Sequence, residues 1–285
     1  MTKTIIVANR KGGVGKTTVA THLAAGMALL GLRVGIVDTD SQGHSAKAFG
    51  MPKENGLFNI MVNYETTFAD VMRQVPLERY AVPGWDGLES TLFLLPSHKK
   101  TSRIPLDEPS PFRFRRILKD MAQLLELDYI VVDTGPTNSM FDGSIMIAAD
   151  YYLYITECSA LSFDGLVDAL EELDEINKQV EDFRESPIEI LGIQANKLRA
   201  NTSNHRDNIK QLAGQFEKGV VWHPVTLRTV WEQAMEYGQL VYSYAPYGEE
   251  FRQAFKVVDW ALKRLGEVES DSTFIKELME VKDAS

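Results

Sequence analysis

Lys11-Gly12-Gly13-Val14-Gly15-Lys16-Thr17-Thr18 stands between two apolar runs. Before it comes Thr4-Ile5-Ile6-Val7-Ala8-Asn9, which reads as a buried strand. After it comes Val19-Ala20-Thr21-His22-Leu23-Ala24-Ala25, which reads as the start of a helix. Strand, glycine-rich loop and helix, in that order, form the setting of a phosphate-binding loop. Gly12, Gly13 and Gly15 lack Cβ atoms, so the backbone around Val14 can bend sharply and turn its N–H groups inward onto phosphate oxygens. Lys16 reaches for the terminal phosphates, Thr17 offers a hydroxyl to Mg²⁺, and Thr18 opens a helix whose N-terminus carries partial positive charge.

Outward from the loop, residues 16–31 read as a helix with Ala20, Leu23, Ala24, Met27 and Leu30 on one face, stopped by Gly31. Residues 33–37 read as a second buried strand, and it runs into Asp38-Thr39-Asp40-Ser41-Gln42-Gly43. Acids just past a strand's C-terminal end lie where α/β sheets bind ligands. Residues 112–126 read as a helix leading into the strand Tyr129-Ile130-Val131-Val132, which ends at Asp133-Thr134-Gly135-Pro136. Further strands are expected at 92–95, 151–155 and 188–193, and a final amphipathic helix at 247–265. The alternation predicts an α/β fold, a mostly parallel twisted sheet covered by helices on both faces. Residues 50–110 are the least legible. Residues 99–119 hold seven bases and read as a solvated helix face, with a nucleic-acid or partner contact as the alternative.

The loop departs from G-x-x-x-x-G-K-[ST]: its first glycine would fall at Arg10, and a second lysine, Lys11, stands at the front. Together with Asp38-x-Asp40-x-Gln42-Gly43 and the Asp133 strand end, this resembles the ParA/MinD group of P-loop ATPases. The resemblance implies ATP and Mg²⁺ as ligands, with Thr17 on the metal and Asp38 and Asp133 acting through water. It implies that Lys16 and Asp40 serve hydrolysis, Asp40 by orienting the attacking water. It also implies that Lys11 crosses a homodimer interface to the partner's nucleotide. Asn196, at the end of the 188–193 strand, is the candidate for the adenine, with a cap or turn as the alternative; Pro224, in His223-Pro224-Val225, is the candidate for the other wall. Residues 225–246 resemble the group's C-terminal signature. Ser41 stands where the group often has proline, a minor departure, and Gly135-Pro136 stands where the group usually has two prolines, so by resemblance the second switch keeps one proline and gains a flexible residue.

A length of 285 residues suits one large domain over residues 1–265, with an acidic tail at 266–285. Hydrophobic and charged contents of 44% and 25% are ordinary for a globular chain. The early strand predicts no signal peptide and leaves no room for an N-terminal helix-turn-helix. The single cysteine, Cys158, excludes an intrachain disulfide and a cluster needing two cysteines per subunit, and fits a reducing cytoplasm. A net charge of −10 argues against a chain wrapped in nucleic acid, yet residues 197–264 carry ten bases against seven acids. By resemblance to short ParA proteins, the expected activity is ATP-dependent, sequence-independent binding of double-stranded DNA. Lys197, Arg199, Arg206, Lys210, Arg228, Arg252, Lys256 and Lys263 are the candidate phosphate contacts. The expected setting is nucleoid-associated, with a ParB-like stimulator and no membrane. The stretch Phe274 to Val281 is amphipathic but acidic, which anionic lipid would repel. A MinD-like or other cargo-positioning ATPase is the alternative, and a metabolic P-loop enzyme is a third class.

Overall fold

The computed structural model describes residues 2–84, 89–136, 140–159, 161–184, 186–199 and 203–267. Its strands are β1 (Lys3–Ala8), β2 (Val34–Asp38), β3 (Arg73–Gln74), β4 (Leu92–Leu95), β5 (Tyr129–Asp133), β6 (Tyr151–Glu157) and β7 (Glu189–Asn196). They form one sheet in the order β3-β4-β2-β5-β1-β6-β7. Every ladder is parallel except the short antiparallel pair of β3 with β4 at the edge. The helices of the first half are α1 (Lys16–Leu29), α2 (His44–Ala48), α3 (Gly56–Val62), α4 (Phe68–Val71), α5 (Ile104–Asp107) and α6 (Arg113–Leu125). Those of the second half are α7 (Met140–Ala148), α8 (Leu161–Val180), α9 (Ser203–Ala213), α10 (Thr229–Glu236), α11 (Val241–Tyr244) and α12 (Glu249–Arg264).

The central strands read as near-continuous Ile and Val because both of their faces are covered. Side chains alternate between faces along a strand. Ile5, Val7, Val34 and Ile36 therefore pack into one apolar layer, with α1 and α12. Ile6, Val37, Ile130 and Val132 pack into the other, with α3, α6 and α7. The α/β expectation holds, and each of the strands expected at 33–37, 92–95, 129–132, 151–155 and 188–193 is present, most of them a residue or more longer than their patterns.

Two sequence expectations are corrected. Helix α1 does not present a single apolar face: Val19 through Leu29 are all buried. Its outer side is roofed by α12, whose stripe Phe251, Phe255, Val258, Leu262 and Leu265 is buried as expected. Gly26 makes this approach possible, since a Cβ there would stand 2.5 Å from Val258 Cγ2. The second correction concerns the basic stretch 99–119, which is not a uniform solvated face. Arg113 turns inward, donates to the Ile60 carbonyl at 3.1 Å and lies 4.0 Å over the Tyr64 ring. Arg103 pairs with Asp107 at 3.2 Å. The expectations for residues 268–285 lie outside the described residues. Glu267, just before them, accepts from the Tyr129 hydroxyl at 2.6 Å.

His22 locks α1 to α11. Its Nδ1–H donates to the Thr18 carbonyl at 2.7 Å and its Nε2 accepts from the Val241 N–H at 3.1 Å, so the ring is neutral. Burial pushes its pKa down to about 4, against the smaller upward pull of the Thr18 carbonyl. The unfolded chain therefore takes up this proton first as the pH falls below the ordinary histidine value, and stability is lost between about pH 6.5 and 4. His22→Gln removes that titration. The difference in unfolding free energy between the wild type and His22→Gln should change by about 2 kcal/mol between pH 7.5 and 5, the wild type losing more. Urea unfolding of both proteins at the two pH values checks it; parallel pH profiles would refute the buried neutral ring.

Candidate functional site

The glycine-rich loop leaves the C-terminal end of β1, an interior strand bracketed by β5 and β6. Gly15 caps α1 at φ +98°, a conformation that L side chains rarely adopt, and a Cβ there would stand 2.7 Å from Asn196 Nδ2. No side chain caps the helix, so its first N–H groups face the loop's concavity. Lys16 is largely buried, and its Nζ donates across the loop to the Lys11 carbonyl at 3.0 Å. Burial pulls the Lys16 pKa down while Asp133 and Asp40 push it up.

Two acids meet beneath the loop. Asp38 and Asp133 end neighbouring strands in direct register and are fully buried. Asp38 accepts from the Asp40 N–H at 2.9 Å and the Ser45 N–H at 3.0 Å. Asp133 Oδ2 accepts from the Ser45 hydroxyl at 2.8 Å, while its Oδ1 is buried with no hydrogen-bond partner. Burial drives the Asp38 pKa well above the usual carboxylate range, with the Asp133 charge adding to it. Burial likewise raises Asp133 to about 6, against the Thr17 and Ser45 hydroxyls. Two buried carboxylates at this spacing need positive charge. The orphaned Asp133 Oδ1, with Thr17 at the start of α1, fits a hydrated divalent cation.

Asp40 stands at the rim. Its carboxylate accepts from the Gln42 N–H at 2.9 Å, and its carbonyl accepts from the Ser97 hydroxyl. Gly135 lies beside it, and a Cβ at Gly135 would stand 3.4 Å from Asp40 Cγ. Gly135 thus leaves room next to the Asp40 carboxylate.

Asn196, the candidate for the base, touches the loop itself. Its Nδ2 donates to the Val14 carbonyl at 3.0 Å, bracing the loop from below, and its buried Oδ1 has no hydrogen-bond partner. That acceptor suits the exocyclic amine of a purine. Pro224 lies beside the same strand end, where the Val225 N–H donates to the Ala195 carbonyl at 2.9 Å.

Lys11 sits at the front of the loop, its side chain about half exposed, and its Nζ lies 2.6 Å from Glu157 Oε2. Lys197, a candidate DNA contact, lies 3.2 Å from the other oxygen of the same carboxylate. Burial nudges Glu157 upward, yet the two ammonium groups outweigh it and hold the carboxyl below its ordinary value. Lys197 and Arg199 flank Leu198, which bridges to Thr226, two residues before Arg228. Arg228 faces Glu250 at 3.6 Å, and Lys263 pairs with Asp259 at 2.7 Å. Arg252 and Lys256 are exposed one turn apart on α12, and Arg206 and Lys210 share α9. The set is spread over several elements, and Lys197, Arg228 and Lys263 each spend charge on a neighbouring acid.

Sequence reasoning missed Ser45, Ser97 and Glu157. Ser45 stands seven residues past Asp38, a spacing that hints at a turn back. Ser97 and Glu157 carry no local signal, because the chain path alone brings them to the loop.

The sequence matches the AAA domain family over residues 2–185. It is 26% identical to the chromosome-partitioning ATPase Soj of Thermus thermophilus over 85% of this chain and 88% of that one. An ATP complex of a Cyanothece McdA variant superposes with a TM-score of 0.72 at 21% identity, covering 95% of this chain and 99% of the other. The Mg-ADP complex of MinD from Pyrococcus horikoshii OT3 gives the same TM-score, 0.72, at 16% identity, over 95% and 100%.

Gly15→Ala should abolish binding of a fluorescent ATP analogue, because the added methyl meets both the positive φ and the Asn196 amide. Gly31, also at positive φ (+88°) but with open space around its Cα, is the control. Gly31→Ala should keep nucleotide affinity within about threefold while losing roughly 1 kcal/mol of stability to backbone strain. Titration of both variants checks the contrast.

Proposed function

The chain belongs to the AAA domain family, among the ParA/MinD-type P-loop ATPases, and we propose from that premise that it is a partition ATPase. In this reading ATP with Mg²⁺ joins two copies into a dimer that holds double-stranded DNA without sequence preference. Hydrolysis, stimulated by a ParB-like partner, dissolves the dimer, and the cycle segregates or positions a plasmid, a chromosome or another cargo. The observation that carries the reading is the opposed placement of the loop's two lysines: Lys16 is folded inward over the buried acids, while Lys11 sits at the rim, half exposed. An inward lysine serves the chain's own nucleotide; an outward one is available to a second copy.

The residues divide the chemistry among them. Thr17, Asp38 and Asp133 would hold the metal, which supplies charge neutralisation on the phosphates. The loop amides and Lys16 stabilise the charge that develops on the transferring phosphoryl group. Asp40, tied down through Gln42 and Ser97, orients a water rather than acting as a strong base. The Asn196 Oδ1 acceptor and Pro224 take the purine. The bases around Lys197, Arg199 and Arg228, with those of α9 and α12, supply the phosphate contacts on DNA.

Three measurements test this. Lys16→Ala should lower ATP turnover by about a hundredfold or more. Asp40→Ala with ATP and Mg²⁺ should dimerise in light scattering, and adding Lys11→Ala should remove those dimers. Binding to unrelated duplex DNA should require ATP and weaken by at least about a hundredfold between 50 and 200 mM salt. Intact hydrolysis with no DNA binding in any nucleotide state would refute DNA carriage and favour a cargo-positioning ATPase of the MinD kind.

A further inference from the structure

The front of the loop is fastened to β6 at two points. The Lys11 N–H donates to Asn9 Oδ1 at 2.6 Å, and Asn9 in turn donates through Nδ2 to the Ile155 carbonyl at 2.5 Å. Two residues along the same strand, Glu157 takes the Lys11 ammonium at 2.6 Å. Main chain and side chain of Lys11 are thus both referred to the C-terminal end of β6. Glu157 stands opposite Asn196 in the β6–β7 ladder, so the residue that follows Asn196, Lys197, reaches the second carboxylate oxygen.

We propose that Glu157 is a positioning residue for Lys11: it tethers the lysine within its own protomer, and the tether must open before Lys11 can serve the nucleotide of a second copy. This rests on the reading of Lys11 as a residue that acts across a dimer.

The two-cation arrangement gives the tether its character. Glu157 is three-quarters buried, so a carboxylate abandoned by its only partner would be costly. With Lys197 on its other oxygen, Glu157 keeps a counter-charge when Lys11 leaves, and release strands nothing. The converse also follows. Without Glu157, two ammonium groups would share one site with no anion between them, and repulsion would drive Lys11 outward. An ion pair whose lysine is half exposed, as here, shifts an equilibrium by about fivefold at most. Each dimer opens two such tethers, so the dimerisation constant carries the effect twice.

The experiment uses the full chain. Competitive acetylation with acetic anhydride, read by mass spectrometry without nucleotide, reports the reactivity of Lys11 against exposed Lys256 as internal standard. Glu157→Gln should raise the relative rate at Lys11 at least about threefold, and Glu157→Asp should restore slow reaction. An unchanged Lys11 rate in Glu157→Gln would overturn the tether. The second arm follows dimerisation by light scattering with a non-hydrolysable ATP analogue and Mg²⁺. Glu157→Gln should lower the midpoint concentration by between about two- and 25-fold, and the shift should vanish when Lys11→Ala is added. A midpoint equal to or above that of the wild type would overturn the gating role. Faster labelling at Lys11 in a protein that never dimerises with nucleotide would uphold the tether and reject the dimer reading itself.

Discussion

Two carboxylates buried side by side are the constraint on which this structure turns. Asp38 and Asp133 close neighbouring parallel strands at the same level, with no water-exposed surface between them. Burial makes their charge expensive, and each raises the cost of the other. The surroundings are built to answer that cost. The Ser45 backbone and hydroxyl donate to one acid each. Lys16 folds over them, and the uncapped start of α1 turns its dipole toward the same point. One carboxylate oxygen is still left without a donor. A pocket so arranged is stable as protein and becomes electrostatically complete with a cation and phosphates in it.

Rigidity around this point comes from packing rather than from the loop. α1 is wrapped on every side, by the sheet below and by α12 above, and Gly26 lets the two helices close on each other. His22 and Tyr242 tie the same helix to α11 from within the core. The loop that α1 carries is then braced from beneath by Asn196, so its backbone is held in the shape that phosphate requires before any ligand arrives. Preorganisation of this kind spares the ordering cost at the moment of binding.

The rim is held more lightly. Asp40 is fixed by short polar contacts, one of them from Ser97 in the segment that follows β4. That contact joins the Asp40 turn to residues 50–110. Lys11 is held by an ion pair that solvent can reach. The deep part of the site is locked and the outer part is held by contacts that solvent can reach.

The sequence by itself determined the α/β fold, the phosphate loop, and the two acids at strand ends. Each of these is written in contiguous residues: a period of two or an apolar run, a glycine spacing, an acid at the end of a strand. The helix stripe of α12 was legible for the same reason. The all-round burial of α1 was not, because it depends on a helix more than two hundred residues away. The inward turn of Arg113, the bracing role of Asn196 and the hold of Ser97 on Asp40 were equally hidden. Glu157 is the clearest case. In the sequence it lies two residues past the strand expected at 151–155; only the ladder between β6 and β7, with the loop folded back over β1, sets one carboxylate between Lys11 and Lys197. Local pattern fixes which groups are present, and long-range contact decides which charges they meet.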